Sequence, residues 1–418
     1  MRTRIVGTAA AAALLTLATA CGGIATQNQG GQSVDCGDTV NIGAPYPLSG
    51  VWEENVQISL NGKQLAADEI SAAGGIKGLN GAKIKVVSGD TSSDNPGQAK
   101  TVTENLLQSG NVSAVVGSYL SSMTLTTVVA TETKKVPLIT QSFVDDLTAK
   151  GYKYLFQIPP KASAFGSETV TDAKGVYAAQ NRPLRTLAVA GSDDASTKAQ
   201  TAGVVAGAGK EGVQVKEQVI FPNGLSDATA IVNRVSDANA DLIVLGGNVS
   251  DLSLIIKGIR ARGVTTPIAT SGGGGALAPQ FAKALGDSSN GIMASAAWNS
   301  DVTLTGVADA AKEYQQKYNA FMPQEAGESW AAIYELAQVM DQGKTCDPQK
   351  IRDALSSTDF TTGQASAVPP GKVGFDATGA NKYIKPILVQ WQNGTLKTVF
   401  PKDVASTEAL PLGAGPAA

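Results

Sequence analysis

Histidine is absent from the 418 residues. That removes Ser-His-Asp and Cys-His catalysis and every histidine-ligated metal site. Carboxylate or lysine chemistry is left, with no nucleophile motif to go with it. Positive charge is not in excess: 33 Lys and Arg stand against 36 Asp and Glu, a formal net charge of −3. No basic stripe runs through the chain, so nucleic acid is not an expected partner. After the first twenty residues no run of about 18 apolar residues occurs, so no second membrane span is expected. Cysteine is scarce, with only Cys21, Cys36 and Cys346.

The N-terminus reads as a targeting segment. Arg2 and Arg4 precede an apolar stretch, Ile5 to Ala18, and then comes Ala18-Thr19-Ala20-Cys21-Gly22. This is the pattern of a secretory signal with a small-residue cleavage site, too short for a typical spanning helix. The stretch resembles a bacterial lipobox, which implies that Cys21 is lipid-modified as the first residue of the mature protein. Losing Arg2 and Arg4 with residues 1–20 takes the formal charge from −3 to −5. Gly22 to Val34 is polar and rich in Gly and Gln, so residues 21–37 are expected to be a flexible tether. In an exported chain the two remaining cysteines suggest one disulfide, the alternative being two free buried thiols.

From Thr39 onward, strand-like runs alternate with helix-like ones. Strands are expected at Thr39–Ala44, Lys83–Ser88, Val112–Val116 and Pro137–Thr140, with helices at Gln57–Ile70 and Pro96–Gln108 and from about Ser121 to Lys135. A second set follows, with strands at Arg185–Ala190, Val213–Val219, Leu242–Leu245 and Pro267–Thr270, and helices at Asp227–Ala238 and Asp251–Arg262. Alternation of this kind argues for an α/β fold, and short all-apolar strands argue for parallel sheets covered on both faces. The last third departs from the rhythm. Two helices, Gly327–Gln342 and Pro348–Leu355, are followed by strands at Lys382–Gln390 and Thr395–Phe400 around the hairpin signal Asn393-Gly394. The final residues, 406–418, read as a loose tail.

Gly207-Ala208-Gly209-Lys210-Glu211-Gly212 fits the G-x-G-x-x-G pattern, but a helix precedes it and a strand follows, the reverse of a dinucleotide site. It reads as a helix C-terminal turn. Ser271-Gly272-Gly273-Gly274-Gly275 does follow a strand, at the rim where open α/β sheets bind ligands. Asp193-Asp194 reads as a helix start. No cofactor or metal motif emerges. The stretch Ala114–Thr127, AVVGSYLSSMTLTT, carries an apolar strand to Gly117 and then a hydroxyl-rich helix start. A helix capped near Ser121 or Ser122 would offer free N–H groups and hydroxyls to a carboxylate. Gln141-Ser142, ending the next strand, is expected beside it.

Six segments in order, IGAPYPLSG (42–50), NGKQLAADEISAAGGIKG (61–78), DNPGQAKTVTENLL (94–107), VVGSYLSSMT (115–124), VPLITQS (136–142) and VGFDATG (373–379), resemble the extracytoplasmic solute-binding proteins of branched-chain amino acid ABC transporters. The resemblance implies a type I periplasmic-binding-protein-like fold. Two Rossmann-like lobes with parallel sheets would be joined by three crossover segments, lobe one at 38–157 plus 297–375 and lobe two at 158–296 plus 376–405. Cys36 and Cys346 would then share lobe one. The solute would sit between lobes that close on it by hinge motion.

In that family the position matching Ser121 and the stretch matching Ser142–Val144 hold the amino acid's carboxylate and amino groups. Two lobe-two tyrosines of the family fall near Ser196 and Asn248, and its acidic ammonium anchor near Gly272. An unpartnered buried ammonium is costly. Either another carboxylate such as Asp193 or Glu53 replaces the anchor, or the ligand is not a simple α-amino acid. Trp52 and Trp298 are candidates for an apolar or stacking wall.

The expected function is therefore capture of a small polar or carboxylate-bearing solute, an amino acid or a relative, for a membrane permease and its ATPase. The expected protein is a lipid-anchored, extracytoplasmic monomer that does no covalent chemistry. The rivals are a sensor of the same fold that signals to a membrane kinase, and a hydrolase using two carboxylates facing each other across the cleft.

Overall fold

A computed structural model describes residues 36–413 except 51, 93, 94, 110 and 273, all within one unit, Val34–Ala418. The signal segment, the tether up to residue 35 and Cys21 lie outside the described residues, as do residues 414–418 of the expected tail. The first sheet has the order β2-β1-β3-β4-β5. Its strands are β1 (Thr39–Tyr46), β2 (Lys83–Asp90), β3 (Val112–Val116), β4 (Leu138–Thr140) and β5 (Leu155–Gln157). All its pairings are parallel. The residues of β3, β4 and β5 are all buried, as expected where helices cover both faces. The intervening helices are α1 (Glu53–Ala72), α2 (Pro96–Ser109), α3 (Ser121–Lys134) and the short α4 (Asp146–Ala149).

The second sheet has the order β12-β11-β10-β9-β8-β6-β7. Its parallel part is β6 (Thr186–Ser192), β7 (Gln214–Phe221), β8 (Leu242–Gly246), β9 (Ile268–Thr270) and β10 (Met293–Ala296). The antiparallel β11 (Ile387–Gln392) and β12 (Thr395–Phe400) complete it. Asn393 and Gly394 join them with φ of 50° and 75°, the left-handed pair that a tight hairpin requires. Helices α5 (Ala162–Ala179), α6 (Ala195–Glu211), α7 (Thr229–Asp237), α8 (Val249–Ala261) and α9 (Pro279–Leu285) belong to this part of the chain.

After β10 the chain forms α10 (Val307–Tyr318), α11 (Gln324–Gly343) and α12 (Pro348–Ser357). Helix α11 packs on α1 and β3 of the first sheet before the chain returns to β11. The α/β architecture read from the sequence is the one observed, though α5 and the strands β5 and β10 carried no clear signal. The glycine run at 207–212 ends α6, with Gly212 as its left-handed C-cap at φ 68°. Cys36 and Cys346 form a disulfide with Cα atoms 5.7 Å apart, tying the residues ahead of β1 to the loop after α11. Among the described residues no helix is long and apolar enough to cross a membrane.

The seat of α11 depends on one glycine. A Cβ on Gly62 of α1 would lie 2.2 Å from the carbonyl oxygen of Ala326, so the two helices touch backbone to backbone. Gly62→Val is expected to cost about 1–3 kcal/mol of stability, the usual range for overpacking. It should also displace the first turn of α11. Urea denaturation measures the first effect. An unchanged midpoint would show that the helices separate freely.

Candidate functional site

A cavity of about 480 Å³ is lined from both sheets' loops and helix starts. Three helix N-termini that follow strands reach it: Ser121 and Ser122 of α3, Ala195 to Thr197 of α6, and Asn248 at the head of α8. Each such end presents N–H groups without intrahelical acceptors. The loop after β9 contributes Gly272 and Gly275. Trp52, Tyr119, Leu120 and Phe143 supply apolar wall. The Trp52 and Tyr119 ring centroids are 6.0 Å apart at 45°, and Phe143 meets Phe165 edge-on at 5.5 Å.

The hydroxyl cluster differs in one respect from the sequence reading. Neither Ser121 nor Ser122 caps α3. The N-cap is Leu120, in extended conformation and with no side-chain bond. Ser121 is the first helical residue and its hydroxyl is turned to other work. It accepts from Ser142 Oγ at 3.0 Å and lies 3.1 Å from Ser196 Oγ at the start of α6. Three serines thus bridge a first-sheet rim to a second-sheet rim. Ser142 is buried and stands one hydrogen bond behind the cavity wall rather than on it. The helix start read at Asp193-Asp194 is present, with Asp194 accepting from Thr197 N at 2.9 Å, and the structure adds a cap the sequence reading missed, Asn248 Oδ1 accepting from Asp251 N at 2.9 Å.

Gln141 lines the cavity, but its amide is already engaged. Oε1 accepts from Tyr46 O–H at 3.0 Å and Ser329 Oγ at 2.9 Å, and Nε2 donates to the Glu325 carbonyl at 2.6 Å. Behind it Lys63, fully buried, donates to Tyr46 Oη at 2.6 Å and Ser329 Oγ at 2.8 Å. Burial pulls the Lys63 pKa well down from the ordinary lysine value. This network clamps α11 to the rim of the first sheet.

Several expected residues lie elsewhere. Trp298 is a core side chain, 1% exposed, with its indole N–H on the Ala367 carbonyl at 2.8 Å. Its ring fills the space over Gly327, so it forms no wall. Val144 packs with Leu147 and Leu155 in the core. Asp193 is exposed and pairs with Lys198 at 2.7 Å, and Glu53 is exposed at the start of α1; neither lines the cavity. Gly272 does line it, at φ 106°, and a Cβ there would fall 2.6 Å from the Phe165 ring. An acidic side chain has neither the backbone conformation nor the room at this position.

The carboxyls of the site come instead from α11. Glu325 and Glu328 both line the cavity and are 8% and 1% exposed. Burial pushes Glu325 up to about 7, and burial followed by the neighbouring charge of Glu325 raises Glu328 well above the ordinary range. The same two acids, after burial, raise the Tyr119 hydroxyl. The sequence reading began this helix at Gly327, three residues late, which left Glu325 in a loop. The signal that finds both is Glu-x-x-Glu just after Pro323, the N-cap, where i and i+3 share a face. Among the described residues no group of three or more Cys, Asp or Glu is placed to hold a metal ion.

The periplasmic binding protein family model matches residues 39–395. This chain belongs to the periplasmic binding protein family. The binding protein is 27% identical over 379 residues to Leu/Ile/Val-binding protein homolog 8 of Brucella melitensis, a match covering 88% of this chain and 91% of the relative. It is 24% identical to the leucine-, isoleucine-, valine-, threonine-, and alanine-binding protein of Pseudomonas aeruginosa, over 86% of this chain and 92% of that one. In structure it resembles the branched-chain amino acid transporter substrate binding protein of Streptococcus pneumoniae, solved in complex with isoleucine. There the TM-score is 0.72 at 25% identity, covering 86% of this chain and 97% of that one. A putative branched-chain amino acid ABC transporter protein from Silicibacter pomeroyi has the same fold, with a TM-score of 0.77 at 19% identity over 89% and 98% of the chains. The fold is that of the type I binding proteins, with two lobes.

Proposed function

We propose that this chain is the solute-binding component of an ABC importer, and that it captures an amino acid or a close relative in the cavity described above. The observation that carries the reading is the Ser142–Ser121–Ser196 bridge at the N-termini of α3 and α6. A carboxylate placed there meets hydroxyls and free N–H groups from both rims at once, so its binding favours the closed arrangement. The lobes we assign are 38–157 plus 297–375 and 158–296 plus 376–405. Lipid attachment through Cys21 would hold a monomer on the extracytoplasmic side of the cell membrane, within reach of its permease. The relatives' ligands support an amino acid, and the cavity supplies an apolar wall for its side chain.

The test is calorimetric titration of the L-amino acids against wild type and a Ser121→Ala/Ser142→Ala double variant. Loss of hydrogen bonds to a charged group costs about 1.5–3 kcal/mol, so affinity is expected to fall by roughly tenfold or more. Unchanged affinity would remove the serine bridge from the binding site.

A further inference from the structure

The charge content of the cavity is lopsided. Among the described residues its lining carries Asp194, Glu325 and Glu328 but no lysine or arginine. Asp194 is spent on its own helix, accepting from Ser192 Oγ at 2.7 Å and Thr197 N at 2.9 Å. Glu325 and Glu328 form no ion pair with any described residue, and Glu328 Oε1 is buried without a hydrogen-bond partner among the described residues. Lys63 does not serve them. Its Nζ is held by the Tyr46 and Ser329 hydroxyls and by the Ser59 carbonyl at 3.3 Å, and burial drives it toward the neutral form.

A neutral α-amino acid brings one ammonium to this pair and leaves the second carboxyl to be kept protonated. A basic amino acid brings two cations for two carboxylates, and its own carboxylate remains for the serine bridge. Its aliphatic stem suits the Trp52 and Tyr119 wall, whose ring faces also attract a cation. We infer that Glu325 and Glu328 form a cation subsite, and that the solute is a basic amino acid of the lysine, ornithine or arginine kind, taken in preference to leucine, isoleucine or valine. The inference rests on the amino-acid reading above and narrows it. It also departs from the neutral ligands that the relatives' names carry.

Calorimetric titration of arginine, lysine and ornithine against leucine, isoleucine and valine decides it. The basic set is expected to bind the wild type at least about tenfold more tightly. Glu328→Gln should cost the basic ligands about tenfold or more, and more than it costs the neutral ones, and Ser121→Ala should weaken both sets. A urea midpoint at or above the wild type's shows that the glutamine variant is folded, and Glu325→Gln provides a second reading. Tighter binding of the neutral set to wild type, with sensitivity to Ser121→Ala, overturns the cation subsite and leaves the amino-acid reading standing. Failure of every amino acid to bind overturns both.

Discussion

Glu325→Gln is expected to make the unliganded protein more stable near neutral pH, by about 3 kcal/mol at most, while weakening its hold on a solute. In the folded state burial raises the Glu325 carboxyl from 4.5 to about 7, and one pKa unit is about 1.4 kcal/mol. Below 4.5 both folded and unfolded chains are protonated there, and the group costs nothing. Between 4.5 and about 7 the folded chain binds the extra proton, so stability falls as pH rises. Above about 7 the folded state carries the full penalty. Glu328 shifts in the same direction and adds to it.

The groups that face the Glu325–Glu328 pair do not cancel this. Tyr46 and Tyr119 are held neutral by burial, Lys63 is pulled toward neutrality, and Asp194 is occupied. Asp172, raised to about 8, and Glu335, also raised, slope the same way. Subtracting wild type from variant removes their contribution. The measurement is urea denaturation of both proteins at about pH 5 and about pH 8. The variant's advantage should be small at the lower pH and largest at the higher. A difference that does not change with pH would mean that Glu325 is not an ionising, desolvated group. The result would place a cost to the fold at the site of binding, where a cationic solute relieves it.

Removing the disulfide with Cys36→Ser/Cys346→Ser is expected to cost about 3–5 kcal/mol. The two residues are 310 apart in sequence, and a cross-link stabilises mainly by restricting the unfolded chain, more so for a longer loop. The bridge ties the residues ahead of β1 to the loop after α11, so in the unfolded state it closes one very long loop and removes much of that stretch's freedom. Solute affinity should stay within about twofold, because the folded cavity does not include either residue. Denaturation of oxidised and reduced wild type beside the double variant measures the effect. Equal midpoints for all of them would show that the long loop is already restricted in the unfolded state.

Local chemistry was legible residue by residue. Strands other than β5 and β10 announced themselves as short apolar runs, Asp194 and Gly212 marked the two ends of α6, and Asn393-Gly394 marked the hairpin, because each depends on neighbours a few residues away. The same local reading rejected the glycine run at 207–212 as a nucleotide site, since a helix precedes it. The serines proposed to meet a carboxylate were also legible, as Ser121 opens the helix after one strand and Ser142 follows the next.

The acidic wall of the cavity was not. Trp298 looked like a wall until its ring was seen to fill the space over Gly327, a packing partner that no local pattern discloses. Gly272 looked like a lost anchor, but it is a glycine because the Phe165 ring, far away in sequence, leaves no room for a Cβ. Glu325 and Glu328 came to line the cavity only because α11 returns to the first sheet and settles against Gly62. Patterning along the chain thus decided the fold and one half of the cavity. Which carboxyls line the cavity and are stripped of water was decided by long-range packing, because desolvation depends on what covers a group and not on what precedes it.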